Sequence, residues 1–232
     1  MTEPKYKLET PIFVPEQAHP DDAHSVLMRL VPPGSRVLEL GCSSGYLSGY
    51  MRQSLGCYVV GAEADPNATA LAAAHTDEVY TLDLDDTDAT LAAVQGNAPY
   101  DVLLAPAVLE HLRYPEPLLR ALRPLLTDEA TVIVSLPNIA HWQFRWRLLR
   151  GVFDYEDYGV MDRTHTRLYT LKTGRELLEA NGYSVTEVHI AGSGVQNTLN
   201  ALTGRRFRWP LVLPGLLAYE LIYVAKKQAG GI

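Results

Sequence analysis

Short runs of branched apolar residues alternate with helix-forming segments as far as Pro137, and this alternation constrains the fold more than any other feature. The runs are RVLEL, YVVGAE, EVYTL, DVLLA and ATVIVSLP. Segments with helical periodicity, such as DPNATALAAAH and PEPLLRALRPLL, separate them. Because alternating strands and helices build a parallel sheet that is covered on both faces, the pattern predicts an α/β fold.

The chain changes character after Pro137. The next segment, about 138–170, is crowded with aromatic and charged residues, and a helical pattern and two further strand patterns, SVTEVHIA and AYELIYVAKK, follow it. We therefore expect one domain over residues 1–232. It would carry a lid or substrate insertion at about 138–170 and a second insertion at about 192–216.

Composition excludes several classes of protein. The 232 residues include 47% hydrophobic residues, enough for a sizeable core, and the formal net charge of −7 argues against a nucleic-acid partner. Cys42 and Cys57 are too few for a disulfide framework, which favours a reducing, cytoplasmic location. The N-terminus lacks the apolar core of a signal peptide. The longest apolar stretch contains two prolines and Glu220, so we expect no transmembrane segment.

A glycine-rich loop follows the first predicted strand, in the segment Glu39-Leu-Gly41-Cys-Ser43-Ser-Gly45. Glycines at this place let the backbone approach a ligand beyond the strand ends. The dinucleotide pattern G-x-G-x-x-G fits badly, because Ser43 and Tyr46 occupy its second and third glycine positions. A carboxylate attracts a cation and repels a pyrophosphate. The P-loop ending Gly-Lys-Ser/Thr is also absent, so the residues of this loop disfavour a dinucleotide and a P-loop nucleotide.

This loop resembles the first motif of class I S-adenosylmethionine (SAM) dependent methyltransferases, an acid followed by Gly-x-Gly-x-Gly. VVGAEAD, VYTLDLDD and YDVLLAPAVLEHL resemble three further motifs in the expected order, and the resemblance covers roughly residues 19–191 and the last strand. It implies a Rossmann-like, seven-stranded, mostly parallel sheet with an antiparallel last strand, helices on both faces and a helical lid after strand five. Ser43 departs from the family's glycine, so a positive φ there would be mildly strained.

The resemblance also implies the cofactor, SAM, with S-adenosylhomocysteine as its product. Glu63 would accept hydrogen bonds from the ribose, and the residues after the third strand would contact adenine. The expected cofactor-binding residues are Glu39, Gly41, Cys42, Ser43, Gly45, Glu63, Ala64, Asp83, Leu84 and Ala105. We expect Cys42 to be a small packed residue and not a nucleophile, and Asp65 to cap a helix before Pro66.

The methyl acceptor decides whether a base is needed. A hydroxyl must lose its proton as it attacks, whereas a carboxylate needs no base. His111 is the first candidate, because it follows the fourth strand and is expected to begin the next helix. In related oxygen methyltransferases a Glu-His pair here faces the substrate, sometimes with a divalent metal held by another acid three residues before the glutamate. Ala107 stands at that position, so the sequence predicts no metal. Capping or packing under the lid is the alternative for His111.

The segment after the fifth strand resembles a bacterial methyltransferase subgroup that often accompanies glycosyltransferases. That subgroup is typified by Pro-Asn-x-x-His-Trp, Tyr-x-Asp-Tyr-Gly and Leu-Asp-x-Thr-His, which read here as PNIAHW, YEDYG and MDRTH. His141 and His165 are further base candidates. The spacing of Asp162 and His165 allows them to meet on one helical turn, where the acid would orient the imidazole, and a purely structural pairing is the equal alternative. Tyr158, Trp142 and Arg163 are the expected substrate contacts. For the tryptophans, a place in the core of the lid is the favoured interpretation.

Three functions follow from these motifs. The leading one is O-methylation of a sugar, glycan or other small bacterial metabolite, in polysaccharide or natural-product biosynthesis, with a histidine that removes the proton. A carboxyl methyltransferase acting on a peptide or metabolite, and a SAM-binding partner subunit without turnover, are the alternatives. A homodimer stays open, as does peripheral membrane contact through the stretch 205–217, which mixes arginines with apolar residues.

Overall fold

A computed structural model describes residues 12–192 and 214–228 of the chain. The strands in these residues are β1 (Arg36–Leu40), β2 (Tyr58–Glu63), β3 (Glu78–Thr81), β4 (Tyr100–Pro106), β5 (Leu126–Pro137), β6 (Tyr183–Ala191) and β7 (Glu220–Lys227). The α-helices are α1 (Ala23–Leu30), α2 (Tyr46–Ser54), α3 (Pro66–Ala72), α4 (Thr87–Val94), α5 (Pro115–Leu122), α6 (Trp142–Leu149), α7 (Leu171–Glu179) and α8 (Pro214–Leu217). Strands and helices alternate from β1 to β5, as the hydrophobic pattern predicts.

The described strands form one seven-stranded sheet in the order β3-β2-β1-β4-β5-β7-β6. Strands β1 to β5 pair in parallel, whereas β7 is antiparallel to both of its neighbours. The predicted fold class is therefore confirmed. β2 lies on one side of β1 and β4 lies on the other, so the connections that follow β1 and β4 run in opposite directions. A crevice therefore forms between the carboxyl ends of β1 and β4. Ligands of open α/β sheets bind at this point.

Two apolar layers bury the two faces of the sheet. Leu38 and Leu40 of β1 belong to the layer beneath α4, α5 and α7, whereas Val37 belongs to the layer beneath α1 and α2. This division follows from the alternation of side chains along a strand. The carboxyl ends of the strands are thereby fixed by packing on both sides, which gives the residues that follow them defined positions.

The helix ends follow local sequence signals. Asp65 accepts a hydrogen bond from the backbone N–H of Asn67 before Pro66, and so caps α3 as predicted. Asp86 caps α4 in the same way. Gly182, with φ of 87°, ends the turn that follows α7.

The lid differs from its prediction. Among residues 138–170 the only helix is α6, and the rest consists of turns and extended segments. Trp142 and Trp146 are 40% and 57% exposed, so their expected place in a core is wrong, and Phe144 alone is buried on this helix. Residues four apart share one face of a helix, and the face with both tryptophans points away from the contacts that Phe144 makes with Val160 and Met161.

Two predictions concern the second insertion at about 192–216 and the stretch 205–217. Most of both lies outside the described residues, which resume at α8. Among the helices of residues 12–192 and 214–228, none has the length and hydropathy needed to cross a membrane.

Candidate active site

A left-handed loop joins β1 to α2. Gly41, Ser43 and Gly45 have φ of 70°, 50° and 82°. A Cβ at Gly41 would lie 2.8 Å from the Val108 side chain, so this position needs glycine for its size as well as its backbone. Ser43 has the positive φ that the sequence comparison anticipates. Its backbone N–H donates to Glu63 Oε2 at 2.8 Å, which holds the strained turn in place.

Glu63 ends β2 and faces this loop. Its other oxygen, Oε1, accepts hydrogen bonds from the backbone N–H groups of Ala64 at 2.8 Å and Asp65 at 3.0 Å. The carboxylate is therefore fixed at the carboxyl end of β2, beside the glycine-rich loop. Among the described residues, Oε2 accepts only the one hydrogen bond from Ser43 and keeps a further lone pair, so a ribose hydroxyl can still donate to it.

Glu39 lies beneath the same loop and is almost completely buried. The Ser48 hydroxyl donates a hydrogen bond to it. Burial raises the pKa of Glu39 to about 8, and the nearby charge of Glu63 adds to the effect. A cation brought close would favour the ionised form of Glu39, whereas a phosphate would oppose it. The acceptors at this crevice therefore fit the ammonium and ribose of SAM and do not fit a pyrophosphate.

The remaining predicted cofactor residues differ in exposure, and their contacts with a cofactor stay predictions. Asp83 is exposed beside an open groove that Asp85 and Tyr114 also line. Leu84 and Ala105 are buried in the apolar layer beneath α4, α5 and α7. Cys42 is buried too, and burial raises the pKa of its thiol, which agrees with a packed residue and not a nucleophile.

Glu110 and His111 lie in a turn after β4, so the prediction that His111 begins a helix is wrong. The turn starts at Ala107, which has φ of 47°, and α5 begins only at Pro115. The two residues before Pro115 donate their backbone N–H groups to the Asp85 carboxylate. This capping from another loop, which sequence periodicity does not reveal, delays the helix and leaves Glu110 and His111 at the mouth of the sheet.

Ser135 holds the start of that turn. It is fully buried near the end of β5, and its Oγ accepts a hydrogen bond from the backbone N–H of Ala107 at 2.9 Å. The Ser135 hydroxyl in turn donates to the Glu220 carboxyl. The sequence analysis missed this residue, because a single serine in an apolar strand carries no signal of its own.

The fold brings His165 from the lid against this turn. The imidazole rings of His111 and His165 meet edge to face with their centroids 4.7 Å apart, and His165 Nε2 lies 4.0 Å from Glu110 Oε1. Glu110 is 1% exposed. Burial, together with the nearby charges of Glu220 and Asp162, raises the pKa of Glu110 well above its usual range. Two of the three predicted histidines therefore share one polar cluster, with a glutamate that the sequence analysis named only as part of a pair.

Hydrogen bonds define which nitrogen of each ring is protonated. Thr164 Oγ1 donates to Asp162 Oδ1 at 2.8 Å and lies 3.1 Å from His111 Nδ1. Since the hydroxyl proton goes to Asp162, His111 Nδ1–H is the donor to Thr164, and its Nε2 carries the lone pair. His165 Nδ1–H likewise donates to the Val160 carbonyl at 3.0 Å. In the neutral form of each ring, Nε2 is then the acceptor.

The predicted helical turn between Asp162 and His165 is wrong. Residues 160–165 form non-helical turns that begin after Gly159, whose φ is 85°. Asp162 Oδ1 accepts from the backbone N–H and the hydroxyl of Thr164, so it reaches His111 through that hydroxyl. Thr164 was missed, although it directly precedes His165 in the Thr-His motif.

The other predicted lid residues lie elsewhere. His141 is buried, accepts a hydrogen bond from the backbone N–H of Gln143 as the cap of α6, and packs against Tyr219. Burial lowers the pKa of His141, which favours its neutral form. Tyr158 is exposed, and Arg163 pairs with the exposed Asp157 at 2.8 Å. Any contact of these residues and of Trp142 with an acceptor stays a prediction.

The sheet order and the glycine-rich loop with its two acids define the chain as a class I SAM-dependent methyltransferase. Solved structures of this class share its fold. A SAM-dependent methyltransferase from Mesorhizobium loti superposes with a TM-score of 0.60 at 17% identity, covering 92% of this chain and 100% of the other. The family model described as methionine biosynthesis protein MetW matches residues 21–171, and the chain belongs to this family.

Two further similar proteins are also methyltransferases. Magnesium protoporphyrin IX methyltransferase from Synechocystis PCC 6803, with bound S-adenosylhomocysteine, has a TM-score of 0.56 at 17% identity and covers 84% of this chain and 75% of its own. The ubiquinone biosynthesis O-methyltransferase of Cereibacter sphaeroides (strain ATCC 17029 / ATH 2.4.9) is 32% identical over 163 residues, which cover 64% of this chain and 63% of the relative. The chain thus spans slightly less than two thirds of the length of this relative.

Proposed function

We propose that the protein transfers the methyl group of SAM to a hydroxyl oxygen of a small molecule, and that His111 and His165 receive the acceptor. The observation that carries this proposal is the edge-to-face pair of imidazoles, His111 and His165, next to the buried Glu110. SAM supplies a methyl group on a sulfonium, which leaves as S-adenosylhomocysteine when the acceptor oxygen forms its new bond to carbon. The hydroxyl proton passes to an imidazole Nε2.

His111 is the proposed base. It is only half-buried, and its Nδ1–H is fixed by Thr164, which Asp162 holds in turn. The hydrogen bond at Nδ1 fixes the ring, so the lone pair on Nε2 keeps one direction. Once His111 is protonated, the Asp162 carboxylate stabilises its charge through Thr164. His165 has a neutral partner, the Val160 carbonyl, and is more deeply buried. We assign it to positioning the acceptor.

The acceptor is proposed to be a sugar, a glycan or another small metabolite of bacterial polysaccharide or natural-product biosynthesis. Oxygen as the methylated atom is supported by the 32% identical O-methyltransferase of ubiquinone biosynthesis. The lid motifs PNIAHW, YEDYG and MDRTH support the subgroup that accompanies glycosyltransferases. Exposed rings on the lid suit the apolar faces of sugars.

The organisation of the chain is part of the proposal. Residues 138–170 are inserted after β5 and contact the turn after β4, since the backbone N–H groups of Thr166 and Arg167 donate to the Glu110 carbonyl. We therefore treat the chain as one methyltransferase domain with a lid. Cys42 and Cys57 are both buried as free thiols, which supports a reducing, cytoplasmic setting.

The test compares hydroxyl and carboxyl acceptors with labelled SAM. His111→Ala should lower turnover of a hydroxyl acceptor by about 10²–10⁴-fold, the usual contribution of a general base. SAM affinity measured by calorimetry should stay within about twofold. His189→Ala, which removes an exposed histidine paired with Glu187, serves as the control. Undiminished turnover in both His111→Ala and His165→Ala would contradict the proposal and favour a carboxylate acceptor.

A further inference from the structure

We propose that Glu110, His111 and His165 bind a divalent transition-metal ion at the mouth of the SAM crevice. The sequence predicts no metal here, because Ala107 replaces the acid expected beside the Glu-His pair. The fold supplies a different third ligand, the lid residue His165. The site itself does not depend on the proposed function, whereas its use in catalysis rests on it.

The spacing of the three side chains suits a common ion. One ligand atom from each residue can be chosen so that all three lie within 4.8 Å of one another. Nitrogen and oxygen ligands that sit about 2.1 Å from one ion stand roughly 3–4 Å apart. Movements of about 1 Å would bring the three ligand atoms to this spacing.

The chemistry of the cluster calls for a cation. Glu110 is 1% exposed, and its Oε2 has no hydrogen-bond partner among the described residues. Leaving a carboxyl oxygen buried without a partner costs free energy, which a bound cation offsets. His165 Nε2 lies 4.0 Å from Glu110 Oε1. A cation bound between these side chains would favour the ionised carboxylate.

The surroundings already orient the ligands as metal sites require. Histidine ligands of metals commonly donate their second ring N–H to a carboxylate, a carbonyl or another protein oxygen, which fixes the ring and its lone pair. Here His165 Nδ1–H donates to the Val160 carbonyl, and His111 Nδ1–H donates to Thr164, which Asp162 holds. The rings are therefore held in the form that binds a metal through Nε2.

The chemical nature of the three ligands also determines which metal ions are favoured. Two imidazoles and one carboxylate suit Zn²⁺, Mn²⁺ or Fe²⁺, whereas Mg²⁺ and Ca²⁺ prefer sites built from oxygen alone. Three protein ligands leave coordination positions open for an acceptor oxygen. A hydroxyl bound there would become more acidic. With its Nε2 occupied by the ion, His111 could not act as the base, so the ion would replace His111 in the role that the proposed function gives it.

Metal binding is measured on the full chain after chelator treatment, with no SAM or acceptor present. Mn²⁺ is followed by the loss of its free-ion electron paramagnetic resonance signal, and Zn²⁺ by calorimetry. We expect one ion per chain. Glu110→Gln, which keeps the shape of the side chain, and His165→Ala should each weaken binding by more than about tenfold. His189→Ala is the matched control, because it removes a surface histidine beside a carboxylate and should leave affinity unchanged.

The measurements test separately whether the ion binds at this site and whether it takes part in catalysis. No saturable binding, or equal affinity in the wild type and in Glu110→Gln, would overturn the site. His111→Ala, a change at a half-buried position, provides a further test should circular dichroism show that Glu110→Gln does not fold. Full methyl transfer by chelated protein would refute the catalytic use of the ion and leave the proposed function standing. Stoichiometric metal binding with no methyl transfer to any acceptor would contradict the proposed function and leave the metal site standing.

Discussion

At the scale of single residues, the cofactor crevice depends on side chains and backbones held in unfavourable states. Glu39 is a carboxyl kept out of water, and Ser43 is a non-glycine residue with a left-handed backbone. Each state costs free energy in the absence of the ligand. Glu39 lies beneath the glycine-rich loop and Ser43 lies within it, so substitutions at these two positions measure the free-energy cost of forming the empty site.

Glu39 should make stability depend on pH. Its pKa is raised from 4.5 to about 8 in the folded protein, so the folded state binds the proton more tightly than the unfolded chain does. The stabilisation is complete below the unfolded pKa and is lost as the pH rises through about 8. Over that window the wild type should lose up to several kcal/mol of unfolding free energy relative to Glu39→Gln, at about 1.4 kcal/mol per pKa unit. Urea unfolding of both proteins at pH 5 and pH 9 measures this difference.

Because of the raised pKa of Glu39, we expect protons to be released when SAM binds. A cation near Glu39 favours the ionised carboxylate, so binding at pH 7 should release up to about one proton. Calorimetry in two buffers with different ionisation enthalpies gives the number directly. Glu39→Gln should bind SAM more weakly and release none. Identical proton release in the two proteins would show that Glu39 does not sense the cofactor.

Ser43 separates backbone strain from ligand contact. Ser43→Gly should raise the unfolding free energy by at most about 1 kcal/mol, because relief of strain is partly offset by the greater freedom of glycine in the unfolded chain. SAM affinity should be kept, since the hydrogen bond to Glu63 comes from the backbone N–H. Ser43→Val places a β-branched residue at φ of 50° and should destabilise the protein by more than about 1 kcal/mol. A stable valine variant would show that the loop adopts another backbone in solution.

At the scale of elements, the turn after β4 is built by contacts from three other parts of the fold. Ser135 on β5 holds Ala107, Asp85 caps the start of α5, and the lid donates to the Glu110 carbonyl. The turn has little regular structure of its own. Its position, and with it the position of His111, is therefore set by neighbours that are distant in sequence.

Ser135→Ala tests this dependence. Removing the hydroxyl leaves the Ala107 N–H and the Glu220 carboxyl without this partner, which should cost about 1–3 kcal/mol of unfolding free energy. Turnover should fall more than SAM affinity, because the turn carries His111 and not the cofactor loop. Ser135→Thr keeps a hydroxyl and suits a strand, so it should restore most of both properties. Equal turnover in the alanine and threonine variants would contradict the positioning role.

At the scale of the whole molecule, the features that could be predicted from the sequence are those encoded by a local pattern. The sheet, the loop from Glu39 to Gly45 and the acid at Glu63 all follow from periodicity and short motifs, and the fold is as expected. The cluster of Glu110, His111 and His165 does not follow from them, because lid and turn meet only in three dimensions. The exposure of the tryptophans was missed for a related reason: an aromatic helix looks the same in sequence whichever face it buries.

Asn138 shows how the lid is joined to the rest of the molecule. This residue is fully buried at the start of the lid, where its side-chain N–H groups donate to the carbonyls of Gly215 and Ala218. Its side-chain oxygen accepts from the backbone N–H of Ala140. The asparagine of the PNIAHW motif therefore ties the lid to the segment before β7, a structural role and not a contact with substrate.

Asn138→Ala should consequently loosen the lid and lower global stability. Three hydrogen bonds at about 1 kcal/mol each, with two carbonyls left buried, predict a loss of about 2–4 kcal/mol in urea unfolding. Amide hydrogen exchange should rise most in α6 and in the turn around Thr164, because Asn138 anchors the start of the lid. Asn67→Ala removes an exposed asparagine near a helix cap and should change neither measurement. A loss below about 0.5 kcal/mol with unchanged exchange in α6 would mean that the lid is held by Phe144, Val160 and Met161 alone, and that His165 keeps its place beside Glu110 without this anchor.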